Sequence, residues 1–99
     1  MYLILWEFIV GEGQQSAFEG VYGEGGEWVR FFGRAQGYLG SELLHDEEAP
    51  GRYISIDRWV SAQVYRQFRQ ENSEEYNALD LRCEELTEHE SFLGAFVRK

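Results

Sequence analysis

The chain opens on a run in which almost every position is apolar. Tyr2, Ile4, Trp6, Phe8 and Val10 form one alternating set, Leu3, Leu5, Glu7 and Ile9 the other, and the run stops at Gly11-Glu12-Gly13. Aromatic and branched side chains ended by a glycine turn predict a β-strand, and apolar residues in both sets predict that it is covered on both sides. From about Gln14 to Ala35 the period becomes helical. Phe18, Val21 and Tyr22 share a stripe that Trp28, Phe31, Phe32 and Ala35 continue, with Gly23-Glu24-Gly25-Gly26 splitting the segment in two. Extended patterning returns over Tyr38 to His45, turns through Asp46-Glu47-Glu48-Ala49-Pro50-Gly51, and resumes over Arg52 to Trp59 as a hairpin partner.

Ser61 has N-cap chemistry for a helix carrying Val64, Tyr65 and Phe68, and Asn72 or Ser73 restarts helix with Tyr76, Leu79, Cys83 and Leu86 on one stripe. Phe92 to Val97, with Gly94 inside it, reads as a last strand. The order β-α-β-β-α-β predicts an α+β fold of the ferredoxin-like, split βαβ kind, in which a four-stranded antiparallel sheet carries its helices on one face. Helices cover only one side of the first strand. A homodimer that presses two sheets together supplies the other cover. With no internal repeat, low-complexity segment or linker, residues 1–99 read as a single domain.

Composition narrows the function classes. Eighteen acidic against nine basic side chains give a net charge of −9, the wrong sign for a nucleic-acid or anionic-membrane partner. The single cysteine cannot form an internal disulfide, and Cys83, His45 and His89 lie too far apart for zinc-ligand spacing, so no metal is expected. The apolar opening is too short to span a bilayer, and no basic residue precedes Arg30 as a signal peptide requires, so a cytoplasmic location is expected. Gly11-Glu12-Gly13 and Gly23-Glu24-Gly25-Gly26 lack the glycine spacing of a nucleotide fingerprint and read as turns.

Several segments together resemble the antibiotic biosynthesis monooxygenase domain family. They are Ile4-Leu5-Trp6-Glu7-Phe8, Gly37-Tyr38-Leu39-Gly40-Ser41-Glu42-Leu43-Leu44, Tyr53 to Trp59 running into Val60-Ser61, and Tyr65 with Phe68. Tyr76-Asn77-Ala78-Leu79-Asp80 through Cys83-Glu84-Glu85-Leu86-Thr87 and Leu93-Gly94-Ala95-Phe96 extend the likeness along essentially the whole chain. The resemblance implies a dimeric α/β barrel of two ferredoxin-like subunits. It also implies a range of chemistry: cofactor-independent oxygenation of electron-rich aromatics such as anthrones and quinols, haem breakdown, and members with no established reaction. The haem-degrading branch uses a histidine in its second helical region. Here no histidine lies between His45 and His89, and Trp6 stands where that branch has asparagine, so haem degradation is not expected.

Dioxygen is a triplet and reacts slowly with closed-shell molecules. A site without metal or flavin therefore needs a substrate that gives up an electron after losing a proton, within aromatic walls and beside a base. Trp59 matches a tryptophan position that recurs at the family's pocket, and Trp6, Trp28, Phe32, Tyr65 and Phe68 are candidate walls, although aromatic residues in so small a domain also read simply as core. Alternation puts Tyr53, Ser55 and Asp57 on the same face as Trp59. Tyr53 is therefore a further candidate substrate contact, and Asp57, with Trp59, the candidate catalytic pair. Glu7, between Leu5 and Ile9, needs a partner if buried, and an arginine at the dimer interface is the expected one. Two functions follow from the sequence: a cofactor-independent monooxygenase of a small hydrophobic aromatic substrate, or a dimeric module of the same fold that binds such a ligand without oxidising it. An open pocket containing Asp57 favours the first; one filled by Trp6, Trp28 and Phe32 favours the second.

Overall fold

Strand patterning and turn chemistry place four strands: β1 (Tyr2–Ile9), β2 (Tyr38–His45), β3 (Arg52–Trp59) and β4 (His89–Val97). In the computed structural model, which describes residues 1–99, they form one antiparallel sheet in the order β2-β3-β1-β4. Helices α1 (Gln15–Tyr22) and α2 (Glu27–Phe32) connect β1 to β2. Helices α3 (Ala62–Glu71) and α4 (Ser73–Cys83), followed by a single 3-10 turn at Glu84–Leu86, connect β3 to β4. Each helical region is split where glycine or Asn72 interrupts it, and the expected ferredoxin-like α+β fold is the one formed. Ser61 caps α3, its hydroxyl accepting the Val64 N–H at 3.2 Å. The break between α1 and α2 needs its glycines. Gly25 has a φ of +73°, and a Cβ on Gly26 would collide with the Val21 carbonyl oxygen.

Directly opposed residues on neighbouring strands share a face. Pairing of Tyr2 with Trp59, Ile4 with Asp57, Trp6 with Ser55 and Phe8 with Tyr53 puts all eight side chains on the side the helices cover. Burial concentrates at two ends of that face. At one end Trp59 and Ile4 pack with Trp28, Phe31, Phe32 and Phe68; at the other Phe8, Val10, Phe18 and Tyr53 form a second cluster. Trp6 and Tyr22 touch both. Between the large Tyr53 and Trp59, β3 offers only Ser55 and Asp57, too short to fill the space beneath the helices. That gap positions the site.

The opposite face carries Leu3, Leu5, Ile9, Ile54 and Ile56, half-buried by their neighbours, and no helix lies on it. Glu7 belongs to this face, but its partner is in its own chain: Arg52 Nε lies 2.7 Å from Glu7 Oε2 and Arg52 Nη1 3.1 Å from Asp46. The arginine partner expected for Glu7 is thus supplied by β3 of the same chain. Arg52 stands two residues from Ile54, the residue opposite Glu7, and diagonal neighbours on one face are within reach of long side chains. Arg58 pairs with Glu42 across the β2–β3 ladder in the same way. No helix is long and apolar enough to cross a membrane.

Candidate functional site

The gap between the clusters is an open cavity of about 80 Å3. Its walls are aromatic: Trp6 and Phe8 from β1, Tyr22 from the end of α1, Trp28 and Phe32 from α2 and Tyr76 from α4. The rings brace one another. Trp28 meets Tyr76 edge-on with centroids 5.1 Å apart and lies 5.5 Å from Phe32, and Trp6 stacks 6.4 Å from Phe8. Apolar walls of this extent lower the local dielectric and strengthen the electrostatic interactions of whatever charge the cavity holds.

The polar groups converge on Asp57. A bulge in β2 prepares its partner: the register with β3 slips between Tyr38 and Gly40, Gly40 takes a φ of +114°, and Ser41 is thereby placed opposite Asp57. Ser41 donates to Asp57 Oδ1 at 2.6 Å. Since that bond uses the only proton of Ser41, the Tyr38 hydroxyl, which lies against Ser41 Oγ, donates to it, and the three groups form a chain running from Tyr38 to the carboxylate. Burial pushes the Asp57 carboxyl up from its ordinary 3.8 to about 6, against the opposing pull of the Ser41 hydrogen bond. Burial likewise raises Tyr38, Tyr22 and Tyr76, so these hydroxyls stay protonated at neutral pH. A carboxyl poised near 6 inside an aromatic box can take a proton from a weakly acidic carbon or phenol.

Two more carboxylates, Asp80 on α4 and Glu90 at the start of β4, border the same cavity. Glu90 is raised by burial and by the nearby charges of Asp80 and Glu84. Nowhere do three or more His, Cys, Asp or Glu side chains gather in a geometry that could hold a metal. Cys83 is buried in the core beside Leu79, as its stripe predicts.

Of the residues singled out from sequence, the cavity brings together Trp6, Trp28, Phe32 and Asp57. It leaves out four. Trp59 is fully buried and walled off by Phe32, Tyr38, Tyr65 and Phe68, whose ring centroids lie 5.2 to 5.6 Å from its own. Phe68 is core beside it. Tyr65 packs against Tyr2 and Trp59, and its hydroxyl accepts from Arg69 at 2.7 Å. Tyr53 sits in the second cluster with its hydroxyl on Glu19, which together with burial pushes it up to about 12. Trp59 thus supports Phe32 from behind and does not line the cavity. Among the lining residues that sequence did not single out for the site are Ser41, Tyr22, Tyr76, Asp80 and Glu90. Tyr22 and Tyr76 lay on recognised apolar stripes; for Ser41 the one available signal was Gly40, a glycine within a strand and so a bulge candidate.

A family model described as antibiotic biosynthesis monooxygenase matches residues 1–79. No curated protein sequence matches. Among solved structures, a single-residue variant of SnoaB, a cofactor-independent oxygenase from Streptomyces nogalater, superimposes with a TM-score of 0.77 at 21% identity, covering 99% of this chain and 92% of that one. A Bordetella bronchiseptica protein named for the same family gives 0.77 at 23% identity over 99% and 96% of the two chains, and Rv0793 from Mycobacterium tuberculosis 0.75 at 13% over 99% and 94%. At these identities the structures speak for the fold. The family model, spanning well over half of the chain, speaks for descent: this chain belongs to the antibiotic biosynthesis monooxygenase family.

Proposed function

We propose that the protein is a cofactor-independent monooxygenase of an electron-rich aromatic, anthrone- or quinol-like small molecule, with Asp57 as the base. The observation that carries this reading is a desolvated carboxylate, held by Ser41, in an open aromatic-walled cavity. For an anthrone the chemistry balances without an added reductant. Asp57 takes a proton from the ring methylene, the carbanion gives an electron to dioxygen, and the resulting radical pair joins as a carbon-bound peroxide. Loss of water from the peroxide leaves a ketone, so one oxygen atom enters the product and the other departs with the two substrate hydrogens. Trp6, Trp28, Phe32 and Tyr76 bind and orient the ring, and their walls keep bulk water from the carbanion. The test is oxygen consumption by metal-free protein against a panel of anthrones and hydroquinones. Uptake above autoxidation is expected, and a flat trace across the panel would favour the alternative, a ligand-binding module of the same fold that performs no oxidation.

We infer further that the protein is a homodimer built on the sheet face that the helices leave bare. Leu3, Leu5, Ile54 and Ile56 form an apolar centre there, and the charges around it are already neutralised within the chain by the Arg52–Glu7 and Arg58–Glu42 pairs, so a second copy buries little uncompensated charge. The dimeric barrel implied by the family supports the same arrangement. In sedimentation the chain is expected at twice 11.6 kDa, and Ile56→Lys, which places a charge at the centre of the face, at the monomer mass. A wild-type monomer at micromolar concentration would sink the inference.

A further inference from the structure

The cavity is lined by three carboxylates, Asp57, Asp80 and Glu90, and by no lysine, arginine or histidine. Among the cations on the surrounding elements, Arg69 donates to the Tyr65 hydroxyl, Arg82 pairs with Glu27 at 2.8 Å, and His89 contacts Ser91. An acidic surface by itself is what a chain of net charge −9 presents almost anywhere. These carboxylates differ in what they stand beside. Trp6, Trp28, Tyr22 and Tyr76 border the same space, and the faces of such rings attract cations. One ring already does so within the chain, since the Arg69 guanidinium carbon lies 3.5 Å from the centroid of Tyr76. Aromatic faces with carboxylates at the rim are the combination that selects a cationic amine over a carboxylate or phosphate.

Resting on the reading of this cavity as the substrate site, we propose that its ligand is an aromatic compound carrying a protonated amine, the ring held among Trp6, Trp28 and Tyr76 and the ammonium group at the solvent side between Asp80 and Glu90. The charge serves the chemistry as well as the binding. Removing a proton from a neutral aromatic would leave an anion in the field of Asp80 and Glu90 with no protein cation lining the cavity to offset it. A substrate that brings its own positive charge becomes a zwitterion on deprotonation, and its ammonium group remains paired with the rim carboxylates throughout.

The test uses three anthracene probes of nearly equal size, one carrying an aminomethyl group, one hydroxymethyl and one carboxylate, titrated into the full-length protein by calorimetry and by quenching of tryptophan fluorescence. The amine is expected to bind at least about tenfold more tightly than the alcohol, and the carboxylate most weakly. In Asp80→Asn/Glu90→Gln the advantage of the amine over the alcohol should shrink to within about twofold. Glu47→Gln/Glu48→Gln, which removes the same charge from the exposed β2–β3 turn, should leave the advantage intact. Equal binding of amine and alcohol by the wild type, or an equal loss of the advantage in both double variants, overturns the proposal while the cavity remains a binding site. If none of the three probes binds, the reading of the cavity falls and the proposal with it.

Discussion

Asp57→Asn is expected to lower oxygen uptake by about a hundredfold or more and, at the same time, to raise thermal stability at neutral pH. The first effect is the usual contribution of a positioned general base. The second follows from linkage. A carboxyl whose folded value, about 6, lies above its ordinary 3.8 binds its proton more tightly in the folded chain. Its contribution to stability is therefore full below 3.8 and is lost as the pH rises through about 6. The groups that face Asp57 are the Tyr38–Ser41 chain from β2, Tyr65 from α3 and Tyr76 from α4; none of them is a cation. Asparagine keeps an oxygen for the Ser41 hydroxyl and removes the buried charge, so the gain at pH 7 is about 1–2 kcal/mol once solvent reaching the carboxyl through the cavity is allowed for. Uptake and melting temperature measured at several pH values separate the possibilities. The wild type should show a rate that rises with pH through about 6, a limb the variant lacks. A variant that loses stability together with activity would make Asp57 a structural partner of Ser41, and one that keeps its activity would place the base elsewhere.

What the sequence made legible here is what depends on local pattern. The strands, the break at Gly23 to Gly26 and the Ser61 cap follow from side-chain period and backbone chemistry within a few residues, although β4 begins at His89, before the Phe92 that its apolar pattern indicated. So does the shared face of Tyr53, Ser55, Asp57 and Trp59, which the β1–β3 register reproduces. The site was legible only in part because it is a hole. Its floor is readable from strand alternation, but its roof depends on how α2 and α4 cross the sheet, which no single segment encodes; Tyr76 and Asp80 reach the cavity through that crossing. Ser41 escaped for another reason. Strict alternation from Tyr38 would turn it to the bare face, and only the slip at Gly40 brings it to Asp57. Trp59 was assigned to the pocket by the family resemblance. It shares the face of Asp57, yet it stands at the end of the strand where Tyr38, Phe32, Tyr65 and Phe68 close over it.

That placement gives the second large effect: Trp59→Ala should cost about 3–5 kcal/mol of stability. The side chain is 0% exposed and four aromatic rings pack on it, so its loss leaves a cavity that rigid rings cannot collapse into. In a domain of this size the melting temperature should fall by about 15 °C or more, and activity should fall with the folded fraction. Trp59→Phe separates packing from contact with substrate. The indole N–H of Trp59 makes no hydrogen bond, so phenylalanine forfeits only part of the ring volume, and uptake per folded molecule should stay within about threefold of wild type. Trp6→Ala is the opposite case. Trp6 is half-buried, borders the cavity and touches both clusters only from their edges, so its removal should weaken ligand binding by more than it weakens the fold. If Trp59→Phe instead loses more than about tenfold of its uptake with an unchanged melting temperature, Trp59 contacts the substrate as the family resemblance implied, and Phe32 must move aside to admit it.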